Sequence, residues 1–180
     1  TEGDRLFQHL LNEIPWRQDH ITIYGKTRAL PRKTAWHGDA GASYSYSGIH
    51  LHPEPWTPGL VEIKQRIEAV VNRRFPQLCF NSVLLNLYRN GQDSMSWHSD
   101  DEPELGRNPV IGSVSFGETR RFVFRHRQNK ALKTEVPLTH GSFLLMASET
   151  QHFWHHAIPK TARAIAPRIN LTFRVIIDTP

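Results

Sequence analysis

His98 and Asp100 form a His-x-Asp pair directly after Trp97. Side chains two positions apart on an extended backbone project from the same face, so an imidazole and a carboxylate at this spacing can converge on one ion. Two ligands hold a transition metal weakly, and the obvious source of a third is the histidine-rich segment containing His152, His155 and His156. Two imidazoles and one carboxylate make the facial triad of non-haem Fe(II) oxygenases, which leaves coordination positions open for a cosubstrate and O2. Spacing alone is a weak signal, because an isolated His-x-Asp is more often a surface turn and a chain with 11 histidines supplies a distant partner by chance. His155 and His156 point to opposite faces if their segment is extended, so at most one of these neighbours is a ligand.

A second set of residues points the same way. Arg168, Asn170, Thr172 and Arg174 alternate with Ile169, Leu171, Phe173 and Val175, a period-two pattern with one polar and one apolar face. If the polar face meets water, its arginines are ordinary surface. If it lines a barrel, two guanidiniums there require anions, since an unpaired buried charge is costly. A dicarboxylate supplies two, and Arg suits planar, bidentate carboxylate recognition. 2-Oxoglutarate between Arg168 and Arg174 is the economical reading, with Asn86 and Tyr88, again two positions apart, as further hydrogen-bond partners.

These residues need a frame. Leu6, Phe7, Leu10, Leu11 and Ile14 recur at helical spacing and predict an amphipathic helix from Asp4 to Ile14, stopped by Pro15. A second helix is expected from Pro58 to Arg74, with Leu60, Ile63, Ile67, Val70 and Val71 buried; between the two lies a turn-rich stretch with Tyr24, Trp36, Tyr44 and Tyr46. After Pro76 short β-type runs follow, at Asn81 to Tyr88, Val110 to Phe116, Arg121 to Arg127, Glu135 to Leu138, Ser142 to Met146 and Arg168 to Ile177. Helices first and strands later describe an α+β chain, and the expected architecture is a double-sheet jelly roll buttressed by the N-terminal helices. One domain over 1–180 suits the length, with 1–75 as a helical and recognition segment and 76–180 as the jelly-roll core.

Composition narrows the partners. A net charge of +5 and a pI near 9.7 favour polyanions. The arginines of the Arg120 to Arg127 strand, with Arg32, Lys33 and Lys160, would track phosphates, or else form a solvated edge. The single cysteine, Cys79, excludes an internal disulfide and reads as a small core residue. No apolar run reaches the roughly 18 residues of a membrane span and no signal pattern opens the chain. A soluble intracellular protein is expected, cytoplasmic in a bacterium and nuclear in a eukaryote, with no membrane partner.

Together the motifs resemble the AlkB family of Fe(II)- and 2-oxoglutarate-dependent nucleic-acid demethylases, most of all its animal DNA-repair members that act on duplexes. The resemblance rests on Asn86 to Tyr88, Trp97 to Glu102, Ser113 to Gly117, His140 to Ser142, His156 to Pro159 and Pro167 to Arg174, with Pro31 to Lys33 and Tyr44 to Gly48 carrying the likeness to the DNA-repair members. It implies a double-stranded β-helix in which His98, Asp100 and His156 bind iron, selecting His156 over His152 and His155. It likewise implies that Asn86, Tyr88, Arg168, Asn170, Thr172 and Arg174 form the 2-oxoglutarate site.

For the substrate, the resemblance implies that Tyr46, in the Tyr44-Ser45-Tyr46-Ser47 segment, stacks on an extruded base with His98 as the opposing wall. Tyr44 and Glu102 would lie near the base edge, and Asp101 would orient the pocket or an arginine. Tyr24 followed by Gly25 matches a hairpin whose tip fills the gap left by a flipped base, with tyrosine here where the duplex-repair relatives carry an apolar residue. The implied reaction is oxidative removal of alkyl groups from N1-methyladenine or N3-methylcytosine in single- or double-stranded DNA, with RNA as a further substrate. It consumes O2 and 2-oxoglutarate and releases succinate, CO2 and formaldehyde. Such a base must leave the stack to react. A monomer is expected. The competing expectations are an RNA or single-strand demethylase, a protein hydroxylase on the same fold and, from another class, a non-catalytic nucleic-acid-binding jelly roll.

Overall fold

The computed structural model describes residues 1–23, 25–42, 44–46 and 49–177, the side chains of 23, 44–46 and 49–51 aside. Helix α1 (Glu2–Glu13) begins at a capping box, in which Thr1 Oγ1 accepts from the Asp4 amide and the Asp4 carboxylate reaches back to Thr1. A β-hairpin of β1 (His20–Ile23) and β2 (Lys26–Ala29) follows, then β3 (Lys33–Gly38) and a short pair, β4 (Tyr44–Tyr46) and β5 (Ile49–Leu51). Helix α2 (Pro58–Val71) starts from a Thr57 cap with Pro58 in its first turn.

The remaining elements are β6 (Ser82–Tyr88), β7 (Met95–His98), β8 (Ile111–Gly117), β9 (Arg120–His126), β10 (Lys133–Leu138), β11 (Ser142–Met146), α3 (Thr150–Phe153), β12 (Trp154–Ile158) and β13 (Arg168–Arg174). They build a major antiparallel sheet in the order β11-β8-β13-β6-β3 and a minor one in the order β10-β9-β12-β7. This is the double-sheet α+β jelly roll expected from the strand pattern.

Strand parity decides what each face carries. Val83, Leu85 and Leu87 of β6, Val114 and Phe116 of β8, and Ile169, Leu171 and Phe173 of β13 share the outer face of the major sheet. There they bury against Leu6 and Leu10 of α1 and Leu60, Ile63 and Ile67 of α2. Phe173 has no exposed surface and packs near Phe80, at 5.9 Å between ring centroids, and Trp56, at 6.3 Å. Cutting such a side chain to Ala costs about 3–5 kcal/mol. The helices therefore buttress the major sheet and free its other face to line the jelly-roll interior. Gly117, at φ +86, lets β8 run past Pro167, whose carbonyl oxygen would lie 2.4 Å from a Cβ there.

Several expectations are corrected. The stretch between the helices contains β3, which pairs along its length with β6 and has both faces covered, so no clean alternation marks it. The last strand ends at Arg174, where the Asn81 side chain takes over the pairing by accepting from the Ile176 amide and donating to its carbonyl. Cys79 is exposed, its thiol 3.4 Å from Lys64 Nζ, because the turn after α2 leaves it outside the core. Arg120 is buried, whereas Arg121, Arg125 and Arg127 alternate around the outer face of the minor sheet. No helix among the described residues is long and apolar enough to cross a membrane.

Candidate metal and cosubstrate site

Antiparallel pairing of β7 and β12 sets His98 directly opposite His156. Opposed residues share a face, so the two imidazoles meet, with ring centroids 4.2 Å apart. Asp100 follows just past the end of β7, and one potential ligand atom from each of His98, Asp100 and His156 lies within 4.8 Å of the others. His98 turns Nδ1 toward the Ser96 carbonyl at 2.9 Å, which leaves Nε2 as its free donor atom. His156 is buried against Phe122 and Phe124. Burial, reinforced by the neighbouring His98, depresses its pKa to about 4, so its ring is neutral at pH 7.

Burial pushes the Asp100 carboxyl the other way. The Arg174 guanidinium, with Nη2 2.5 Å from Oδ1, and the two imidazoles outweigh that and hold its pKa below the usual range. One carboxylate and two imidazoles suit a divalent transition metal. The other candidate histidines are not part of this cluster. His152 meets Asn108 Oδ1 at 2.9 Å, and His155 lies on the opposite face of β12, beside Arg127 and Arg125.

Gln151 was not foreseen. It is almost fully buried, its Oε1 accepts from the Asp100 amide at 3.0 Å, and its Nε2 reaches Met146 Sδ at 3.7 Å. It ties the His-x-Asp turn to α3, immediately before the strand that bears His156. A polar residue five positions ahead of a ligand carries no spacing signal that distinguishes it from a surface glutamine.

Behind the triad, the inner face of the major sheet carries Arg168, Asn170 and Thr172 of β13 beside Tyr88, Asn86 and Leu84 of β6. Among the described residues, the amide and hydroxyl of β13 on this face find partners, while the arginines keep donors to spare. Asn170 Nδ2 donates to Ser113 Oγ and the Val114 carbonyl, and Thr172 Oγ1 donates to Asn170 Oδ1. Arg168 is 1% exposed and donates through Nη2 to Ser115 Oγ at 2.9 Å, while Nε and Nη1 have no partner among the described residues. Arg174 Nε is likewise unpartnered. The Arg168 guanidinium carbon lies 5.2 Å from the Tyr88 ring, and burial lowers its pKa to about 10. Buried cationic donors without acceptors, lining the cavity that also holds the triad, fit an anionic ligand bearing carboxylates.

An adjoining cleft of about 290 Å³ shares Leu84 and Arg174 with that cavity and is lined also by Arg32, Trp36, Glu102 and Leu105. Glu102 is partly buried, its Oε2 unpartnered among the described residues, and burial raises its pKa. Arg32 does not stand out as a phosphate-tracking surface residue. It turns inward, donating from Nε to Asn86 Oδ1 at 2.8 Å and from Nη1 to the Ser94 carbonyl. Asp101 is exposed and pairs with Arg127 at 3.1 Å, so it meets an arginine outside this cleft. Gly25, at φ +72, lies in the β1–β2 hairpin. Tyr24 and Ser47 lie outside the described residues, as do the side chains of Tyr44 and Tyr46.

Fold and site together define a class: a double-stranded β-helix whose interior presents a His-x-Asp…His cluster in front of buried arginines. The 2OG-Fe(II) oxygenase superfamily profile matches residues 1–174. The chain belongs to that superfamily and, within it, to the AlkB family. It is 42% identical to the alpha-ketoglutarate-dependent dioxygenase alkB homolog 3 of Bos taurus, over 99% of this chain and 63% of that protein. It is 39% identical to the DNA oxidative demethylase ALKBH2 of Homo sapiens, over 99% of this chain and 70% of that protein. The corresponding ALKBH2 of Arabidopsis thaliana is 36% identical over 95% of this chain and 61% of that protein. The chain thus spans about two thirds of the length of the curated relatives it matches. Among solved structures, that of OsALKBH1 shares the fold, with a TM-score of 0.59 at 20% identity, covering 96% of this chain and 91% of that one.

Proposed function

We propose that this chain is an Fe(II)- and 2-oxoglutarate-dependent oxidative demethylase acting on N-alkylated bases of DNA. The observation that carries the reading is Arg168, a buried guanidinium with two unsatisfied donors in the cavity that holds the His98, Asp100 and His156 cluster. His98, Asp100 and His156 would hold the iron; Arg168, Tyr88, Asn86, Asn170, Thr172 and Arg174 would hold 2-oxoglutarate. With O2, these groups supply an oxidant strong enough for a methyl C–H bond, which no side chain provides, and yield succinate and CO2.

The chain's own residues do the rest. Burial keeps His156 neutral, so its ring offers a lone pair at physiological pH. Arg174 and Gln151 fix the carboxylate and the backbone of Asp100, respectively, as outer partners of a metal ligand do. Phe122, Met95 and Ile158 give the interior an apolar lining. The cleft shared by Arg174 and Glu102 sits near the small end of the range for ligand pockets, roughly 300 Å³ upward, and suits a single nucleobase. N1-methyladenine and N3-methylcytosine are cationic and pair poorly, which lowers the cost of extruding them toward an acidic group such as Glu102. Tyr46 would stack on the base opposite His98 with Tyr44 near its edge, and the Tyr24-Gly25 hairpin would fill the gap it leaves in a duplex. The net charge of +5 favours the polyanionic partner.

The test is to incubate the purified chain with Fe(II), 2-oxoglutarate and methylated single- and double-stranded DNA, and to follow base repair and succinate by mass spectrometry. Repair matched by succinate formation is expected. Succinate formed only with a peptide, or DNA binding without metal binding, overturns the proposal. Faster turnover of methylated RNA would move the substrate class from DNA to RNA.

A further inference from the structure

Arg120 has no role in the chemistry described above, yet it is a buried cation, 3% exposed, at the start of β9. Its guanidinium donates to backbone carbonyls only: Asn90 and Asp93, in the turn that follows β6, and Pro159, just past the end of β12. The turn is locked from its other side too. The Thr161 amide donates to the Gly91 carbonyl, and a Cβ at Gly91 would lie 2.4 Å from the Thr161 carbonyl oxygen. Arg120 therefore fastens together the segments that leave Tyr88 and His156.

Its charge is not cancelled there. Carbonyls satisfy hydrogen bonds without neutralising a cation, and the nearby Asp93 carboxylate is gripped by Arg89 through Nε, Nη2 and the backbone amide. The Arg120 guanidinium carbon lies 5.7 Å from the Tyr88 ring, and that of Arg168 lies 5.2 Å from the same ring. This corner thus holds three guanidiniums, of Arg89, Arg120 and Arg168, against one carboxylate. The excess is positive, and it adjoins the part of the cavity lined by Tyr88 and Arg168, where Arg168 keeps its unused donors. Burial and then the Arg120 charge both depress the Arg168 pKa, as expected of two cations sharing a desolvated corner.

We propose that Arg120 is a positioning and specificity-determining residue of the dicarboxylate site: it holds Tyr88 in place and supplies the second positive charge that makes this part of the cavity select a ligand with a remote carboxylate. It acts through Tyr88 and Arg168 and does not touch the ligand. The inference rests on the 2-oxoglutarate reading and names the origin of its selectivity. A 2-oxo acid lacking the remote carboxylate gains nothing from this corner, so loss of Arg120 must affect the two ligands differently.

The test measures dissociation constants for 2-oxoglutarate and for pyruvate, on the full chain loaded with Mn(II), together with the constant for Mn(II) itself. Arg120→Gln should weaken 2-oxoglutarate binding tenfold or more while leaving pyruvate and Mn(II) within about twofold, and Arg120→Lys should recover most of the loss. An unchanged 2-oxoglutarate constant in a variant with wild-type circular dichroism overturns the proposal. So does an equal loss for pyruvate or Mn(II), which marks a structural strut. If Arg120→Gln does not fold, Arg120→Lys decides by the same ratio, and failure of both to fold also overturns it. A wild-type protein that binds no 2-oxoglutarate would instead sink the cosubstrate reading on which this inference stands.

Discussion

Replacing Arg168 with methionine should separate the residue's contribution to a ligand from its contribution to the fold. In the free protein this guanidinium is 1% exposed, and among the described residues it donates to Ser115 Oγ while Nε and Nη1 have no partner. A buried cation so poorly compensated stabilises little. Exchanging buried ionic groups for apolar side chains of similar volume is often neutral or stabilising, so Arg168→Met should leave the ligand-free protein unchanged or stabilise it by about 1–2 kcal/mol. Binding should collapse. Two charge-assisted hydrogen bonds from Nε and Nη1 to a carboxylate contribute about 3 kcal/mol or more together, over a hundredfold in Kd. Thermal unfolding of the Mn(II)-loaded protein followed by circular dichroism reads both effects. At 2-oxoglutarate a hundred times its Kd, the wild type should gain about 2.7 kcal/mol, a rise in Tm of roughly 5–10 °C for a chain of this size. At the same concentration, Arg168→Met should shift by less than about 1 °C. A ligand-free variant destabilised by more than about 2 kcal/mol that keeps the ligand-induced shift would refute the reasoning.

Three further outcomes are expected. His156→Ala should abolish both Mn(II) binding and succinate formation, while His155→Ala, on the opposite face of β12, should retain both; the reverse pattern would show that the strand's parity has been misread. Acid should destabilise the metal-free protein, because His156 titrates near 4 when folded and near 6.5 when unfolded. Between those values the unfolded chain holds the extra proton, so this contribution is complete above pH 6.5 and is lost toward pH 4, up to about 3 kcal/mol; equal urea midpoints at pH 7 and 4.5 would contradict it. Tyr24→Ala should lower repair of methylated duplex DNA about tenfold or more and spare the single strand, since base–aromatic stacking contributes about 1–3 kcal/mol; equal losses on the two substrates would assign Tyr24 to general binding.

Much of the site was legible in the sequence, because its parts are local patterns. The alternation from Arg168 to Val175 identifies a strand with a polar face whatever that face meets, and the helical spacing of Leu6, Leu10, Leu60 and Ile63 identifies the elements that cover the opposite face. The His98-x-Asp100 spacing likewise marks two side chains on one side of an extended backbone. Properties set within a few residues of chain need no knowledge of neighbours.

What the chain alone left open was every question of facing. Whether Arg168 meets water or an interior depends on β6 and β8 pairing on both sides of β13 while the minor sheet closes over its polar face. His156 and not His155 reaches the cluster because the register of β12 against β7 sets it opposite His98, and a slip of one residue would exchange them. The same parity puts Arg120 inside, while Arg121, one residue on, stays exposed and pairs with Glu135. Gln151 and β3 were invisible for a related reason, since their roles come from partners far along the chain: Asp100, 51 residues away, and strand β6. The sequence by itself determined which residues are capable of the chemistry and which stretches extend or coil. The tertiary structure alone decided which of them face one another, because register and sheet closure are set by the packing of whole faces.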